Sequence, residues 1–228
     1  MKFLIFDTET TGLAQTKIIN QETLNKWPHI VQFSYIIYDM ENGITVSKDC
    51  IIKLNGITIP EESTKIHGIS NKISQEKGEN LEVVLKEFFY YLREVDFLVG
   101  HNIAFDINMI IVELLRIIYG RLYPKEHIDA YKHDLHFLQN FKNVFCTLKQ
   151  SVELCGLKAI DKFGKEYEKW PKLSELHEKL FGVVPKNLHN SFNDILVTLR
   201  CFIKLKFKND LCETSPEFIK LTNELQLF

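Results

Sequence analysis

The chain lacks what would tie it to long duplex, to a membrane or to an oxidising compartment. Its 228 residues set 28 Lys and Arg against 30 Asp and Glu, a formal net charge of −2. Wrapping long nucleic acid takes a broad basic surface, and this balance argues against one. A small local patch that grips a few phosphates is still allowed. The five cysteines, Cys50, Cys146, Cys155, Cys201 and Cys212, are odd in number and form no CxxC pair and no Cys/His pair at zinc spacing. They read as buried free thiols in a reducing compartment. No stretch approaches the ~18 apolar residues of a membrane span. The N-terminus runs straight into Phe3-Leu4-Ile5-Phe6, without the basic region and cleavage site of a signal peptide. Repeats and low-complexity tracts are missing as well. The expected setting is cytoplasmic, in solution, with no membrane partner.

What is present is a globular composition, 45% hydrophobic and 25% charged, at a length suited to one domain with a sizeable core. The 17 Phe and 8 Tyr promise an aromatic interior. Residues 2–7, 29–39 and 44–53 read as strands, the last two joined at Glu41-Asn42-Gly43, which suggests an antiparallel meander. Pro60 opens a helical region over 60–75. Helical periodicity covers 80–93, with Asn80 as N-cap, and a short strand follows at 96–100. Residues 104–119 are apolar nearly all round, so that helix should be buried. Residues 121–145 give no clear assignment. Short helices are expected at 147–155 and 172–181, a long one at 191–207, and a last helical turn or two after Pro216. Strands followed by interleaved strands and helices predict an α/β fold, a central mixed β-sheet flanked by α-helices.

Three acidic clusters lie far apart in this order. In Phe6-Asp7-Thr8-Glu9-Thr10-Thr11-Gly12-Leu13, Asp7 and Glu9 are two residues apart on an extended chain and point to one side. Side-by-side carboxylates repel and call for a cation or a shared proton. The small residues and Gly12 let a ligand backbone come close. Taken singly, the pair also fits a solvated turn. In Gly100-His101-Asn102-Ile103-Ala104-Phe105-Asp106, the acid falls in the first turn of the apolar helix. The helix dipole favours it there, yet so near the core a bare carboxylate is costly. In His189-Asn190-Ser191-Phe192-Asn193-Asp194, a histidine precedes a helix that carries an acid early. Taken singly this fits a solvated acid and a capping region, whereas beside a carboxylate-rich site a loop histidine can serve as a mobile base.

Together these segments resemble the DEDD exonuclease superfamily, most closely its histidine subgroup, the family of the proofreading epsilon subunit of bacterial DNA polymerase III. Phe6 to Leu13 matches the family's first motif without a mismatch. Gly100 to Asp106 fits G-H-N-x-x-F-D, and His189 to Asp194 fits H-x-x-x-x-D. Ile66-His67-Gly68-Ile69-Ser70 matches the intervening H-G-I. The motifs span about residues 2–207. The stretch 157–171, rich in Lys and aromatics, looks like an insertion, and the last 20 residues lie outside the pattern.

The resemblance implies a ribonuclease H-like exonuclease domain over 1–208 and a tail over 209–228. It implies 3′→5′ hydrolysis of DNA, in proofreading, replication or repair, with two divalent cations, Mg²⁺ or Mn²⁺, held by Asp7, Glu9, Asp106 and Asp194. His189 would take the proton of the attacking water. The strand end would meet Leu13 and His67, with Thr8, Thr10, Gly12, Asn102 and Phe105 beside them. Partners would be a nucleic-acid 3′ end, DNA before RNA, and a DNA polymerase. Glu224-Leu225-Gln226-Leu227-Phe228 resembles the peptide that docks on sliding clamps, with Leu225, Gln226, Leu227 and Phe228 as its anchors. Arg200, Lys204, Lys206 and Lys208 read as a solvated helix face. An exoribonuclease would use the same residues, and a binding module that had lost catalysis would lack one of the acids.

Overall fold

The computed structural model describes residues 1–120 and 124–228. Three strands form the expected meander: β1 (Lys2–Thr10), β2 (Ile30–Asp39) and β3 (Gly43–Ile51). β1 pairs antiparallel with β2, placing Asp7 opposite Ser34 and Glu9 opposite Gln32, with a bulge between Glu9 and Thr10. On its other side β1 runs parallel to β4 (Phe97–Gly100), and β4 parallel to β5 (Val144–Cys146). The order β3-β2-β1-β4-β5 puts β1 at the centre of a mixed five-stranded sheet.

The period-2 alternation of β1 feeds two cores. Leu4 and Phe6 join Phe33, Tyr35 and Phe88, with the Phe6 and Phe88 ring centroids 5.3 Å apart. Phe3 and Ile5 join Val99, Ile195 and Phe202 on the other face, with Phe3 and Phe202 at 4.9 Å. Behind the first core lie α1 (Glu61–His67), α2 (Asn71–Lys77), α3 (Leu81–Leu92), α4 (Ile103–Tyr119) and α5 (Lys125–Gln139). Asn80 caps α3 by accepting from the Glu82 amide. After β5 come α6 (Thr147–Gln150), α7 (Val152–Cys155), a separate hairpin of β6 (Lys158–Ile160) and β7 (Glu166–Glu168), then α8 (Leu173–Phe181). α9 (Ser191–Phe207), α10 (Leu211–Thr214) and α11 (Pro216–Glu224) complete the second core.

Several expectations need correction. The unassigned stretch 121–145 holds a four-turn helix, α5; Leu138 is its one fully buried residue, so its apolar period is weak. Residues 121–123 lie outside the described residues. Arg200 is not on a solvated face: it is 8% exposed, and its Nε and Nη2 both donate to the Asp210 carboxylate at 2.8 Å. Its guanidinium lies over the rings of Phe181 and Phe228. The segment after 208 is not a free tail. Leu211, Phe218 and Leu227 are buried in the second core, the Lys186 amide donates to the Leu227 carbonyl at 2.8 Å, and Phe228 stacks on His177 at 4.7 Å. Leu225, Gln226, Leu227 and Phe228 would have to leave the domain to serve as a clamp-binding peptide. Among the described residues no helix is long and apolar enough to cross a membrane, and all five cysteines are free.

Candidate active and metal site

The acidic motifs, nearly 190 positions apart at their extremes, meet at the C-terminal half of β1. Asp7 and Glu9 point to the face covered by α9, and Asp194 in the first turn of α9 meets them. Carboxylate oxygens of Asp7, Glu9 and Asp194 lie within 4.8 Å of one another. Asp106 is approached from the opposite layer, in the first turn of α4. Thr8, which points to that layer, donates to Asp106 Oδ1 from its hydroxyl at 2.7 Å and its amide at 3.0 Å.

Their electrostatics are those of an uncompensated cluster. Burial, then the charges of Asp106, Asp194 and Glu9, hold Asp7 well above the usual carboxylate range, and every one of these influences pushes the same way. Burial raises Glu9 to about 7. Asp106 is also lifted to about 7 by burial, against the lowering pull of the Thr8 hydrogen bonds. Burial and then the Glu9 charge carry Asp194 to about 8. Asp194 Oδ1 is buried with no hydrogen-bond partner, a rare condition for a carboxylate oxygen. Hard oxygen donors converging in this way are compatible with a divalent cation.

The N-terminus of α9 is held by residues the sequence reading missed. Ser191 Oγ lies 2.5 Å from Ser34 Oγ, and the Ser191 amide donates to Gln32 Oε1 at 3.2 Å. Ser34 Oγ and Gln32 Nε2 in turn donate to Asp49 Oδ1, at 2.8 and 2.7 Å. With the Ser34 proton given to Asp49, Ser191 is the donor in the serine pair. Gln32 and Ser34 are the strand partners of Glu9 and Asp7, so the polar network registers α9 against both acids. Two polar residues inside a strand otherwise made for burial on both faces were the available signal.

The remaining motif residues surround this centre. His189 is exposed and sits in the left-handed region at φ 68°, its amide donating to Asp194 Oδ2 at 3.3 Å. Asn102, at φ 61°, starts α4 without a side-chain cap. Asn102 and His189 thus share a left-handed backbone a few positions before Asp106 and Asp194. Thr10 Oγ1 donates to the Gly12 carbonyl at 2.6 Å, and a Cβ at Gly12 would meet nothing within 4 Å. Leu13 is 86% exposed, so it is not core. His67 is buried; Nδ1 accepts from the Ile69 amide at 3.1 Å, and the ring faces the Thr10 backbone, whose hydrogen bond works against the lowering of its pKa by burial. Phe105 lines an open groove of about 510 Å³ together with Ala14, Lys17, Trp27 and Asn108. A second cavity, about 460 Å³ between α3 and α5, contains no residue of the four motifs.

A central β1 carrying two acids, with one more from each flanking layer, gathers four carboxylates at one place on an α/β scaffold. Residues 4–202 match the Exonuclease family, RNase_T, and the chain belongs to that family. The fold is the ribonuclease H-like fold of Escherichia coli exonuclease I. In complex with a dA16 oligonucleotide that enzyme superposes with a TM-score of 0.59 at 17% identity, covering 98% of this chain and 43% of the other. A further exonuclease I structure gives 0.60 at 18% identity over 98% and 43%. Exonuclease I from Methylocaldum szegediense gives 0.57 at 18% identity over the same shares. The chain therefore spans less than half the length of these structures. No curated protein matches the sequence.

Proposed function

We propose that the chain is a metal-dependent 3′→5′ exonuclease that releases nucleoside monophosphates from the 3′ end of DNA, in proofreading or repair. The observation that carries this reading is the triad of Asp7, Glu9 and Asp194 oxygens within 4.8 Å, joined by the Thr8-anchored Asp106. Asp7, Glu9, Asp106 and Asp194 would hold two divalent cations, Mg²⁺ or Mn²⁺. When bound, such ions stabilise charge on the attacking and leaving oxygens of a phosphodiester displacement. His189, exposed at the head of α9, takes the proton of the attacking water. Exposed Leu13 and the Phe105 groove wall suit the terminal bases, through apolar wedging and stacking that tolerate any sequence. His67, whose ring is held against the Thr10 backbone at the end of β1, stands at the same end of the site.

The test is time-resolved digestion of 5′-labelled DNA and RNA of one sequence, with Mg²⁺, with Mn²⁺ and with EDTA. A DNA ladder shortening from the 3′ end and abolished by EDTA is expected. A ladder on RNA alone would keep the site and move the substrate to RNA. No cleavage of either would defeat the reading.

A further inference from the structure

The β6–β7 hairpin carries none of the four sequence motifs, and it leaves four large apolar side chains in water. Phe163 is 83% exposed, Ile160 72%, Trp170 59% and Tyr167 50%. Exposure of this kind on a small two-stranded unit is costly and marks an interaction surface.

The hairpin is nonetheless well built. Lys169 N donates to the Leu157 carbonyl and Asp161 N to the Lys165 carbonyl, both at 2.9 Å. Asp161 Oδ1 accepts from the amides of Phe163 and Lys165 at 2.8 and 3.0 Å, and Gly164 turns the chain at φ 82°. The turn thus presents Phe163 outward without burying it.

Its base is tied to the acidic site. His101 lies five residues before Asp106, and its Nε2 is 3.1 Å from the Pro171 carbonyl. That carbonyl can only accept, so Nε2 carries the proton. Nδ1 then accepts from the Thr147 hydroxyl, 2.9 Å away. Burial lowers the His101 pKa to about 4, which keeps this neutral tautomer. The C-terminal flank of the hairpin is therefore tied to the loop between β4 and α4 that leads to Asp106.

Charge selects the occupant. Residues 157–172 carry five lysines against three acids, a local excess of positive charge on a chain whose net charge is −2. Lys158 and Lys169 are engaged by Glu166 and Glu175, whereas Lys162 lies over the Phe163 ring at 5.0 Å. Aromatic faces interleaved with lysines suit bases and phosphates in alternation.

We propose that the β6–β7 hairpin binds the single-stranded nucleic acid upstream of the end being cleaved, with Phe163, Tyr167 and Trp170 as stacking platforms. This rests on the exonuclease reading. The full chain and a Phe163→Ala/Tyr167→Ala/Trp170→Ala variant are compared on a trinucleotide and on oligo(dT) of about 16 nucleotides. The wild type should favour the longer substrate in KM by about tenfold or more, the scale of a lost base–aromatic stack, and the variant should lose that preference. In EDTA, oligo(dT) should quench Trp170 emission. The Trp170→Phe variant, which keeps only buried Trp27, should lose that signal. Length preference retained by the triple variant, with no Trp170 quench, would overturn the proposal and give the hairpin to a protein surface. Quenching by a wild type that cleaves neither substrate would support the hairpin and sink the exonuclease reading alone.

Discussion

Thr8 gives both of its donors to one oxygen of Asp106, across 98 positions of sequence. β1 thereby grips the acid of α4 with the residue that lies between its own two acids. Thr8→Val keeps the shape and the amide bond but loses the hydroxyl. It should cost about 1–2 kcal/mol of stability and lower metal affinity or kcat by about 10–100-fold, as loss of a ligand-orienting contact does. Thr8→Ser should restore most of both. Thermal melts and metal titrations of kcat check this; a Val variant with wild-type kcat at every metal concentration would refute it.

Asp7 should separate activity from stability. Asp7→Asn removes the charge that burial and three neighbouring acids oppose. The metal-free variant should melt higher than the wild type, while kcat falls by about 100-fold or more for loss of one charge-stabilising group. A variant that melts lower in EDTA would show that the cluster is not under the repulsion described.

The same electrostatics set a pH dependence. A carboxyl with a folded pKa above its unfolded value of about 4 binds its proton more tightly in the folded state. Its stabilising contribution is present at low pH and is lost as pH rises through about 7 for Glu9 and Asp106 and about 8 for Asp194. The melting temperature in EDTA should fall between about pH 5 and pH 8. Mg²⁺ or Mn²⁺ should recover it most at the alkaline end, with release of protons on binding.

His189→Gln should lower kcat steeply and leave KM for the DNA end near its wild-type value, since the ring is exposed and the local tie to Asp194 is through the backbone. Steady-state kinetics on one oligonucleotide decide it; a loss confined to KM would assign His189 to binding instead.

The last residues yield a stability prediction. Leu227→Ala opens a cavity in the second core and should cost about 2–4 kcal/mol. Arg200→Ala should cost about as much or more, because Asp210 would keep a buried charge without its partner. Chemical denaturation measures both.

Much of this was legible in the sequence for a local reason. The meander, α3 and α9 follow from period and caps that short segments carry in themselves, and the four acids and His189 sit in motifs only a few residues long. What was hidden depends on partners distant in the chain. Arg200 reads as surface until Asp210, Phe181 and Phe228 close round it. Leu227 reads as a free anchor until the second core receives it. Gln32 and Ser34 look like faults in a buried strand until Ser191 arrives opposite them. α5 was obscured because it offers only a thin apolar stripe to its neighbours.

The alternation along β1 also acts as a safeguard against misfolding. A slip of one position would send Asp7 into the Phe33–Phe88 aromatic cluster and turn Thr8 toward α9. Such a molecule would lose its core and its acidic centre in one error. Preparations of this protein should therefore contain few well-folded but inert molecules, so that specific activity reports directly on the fraction correctly assembled.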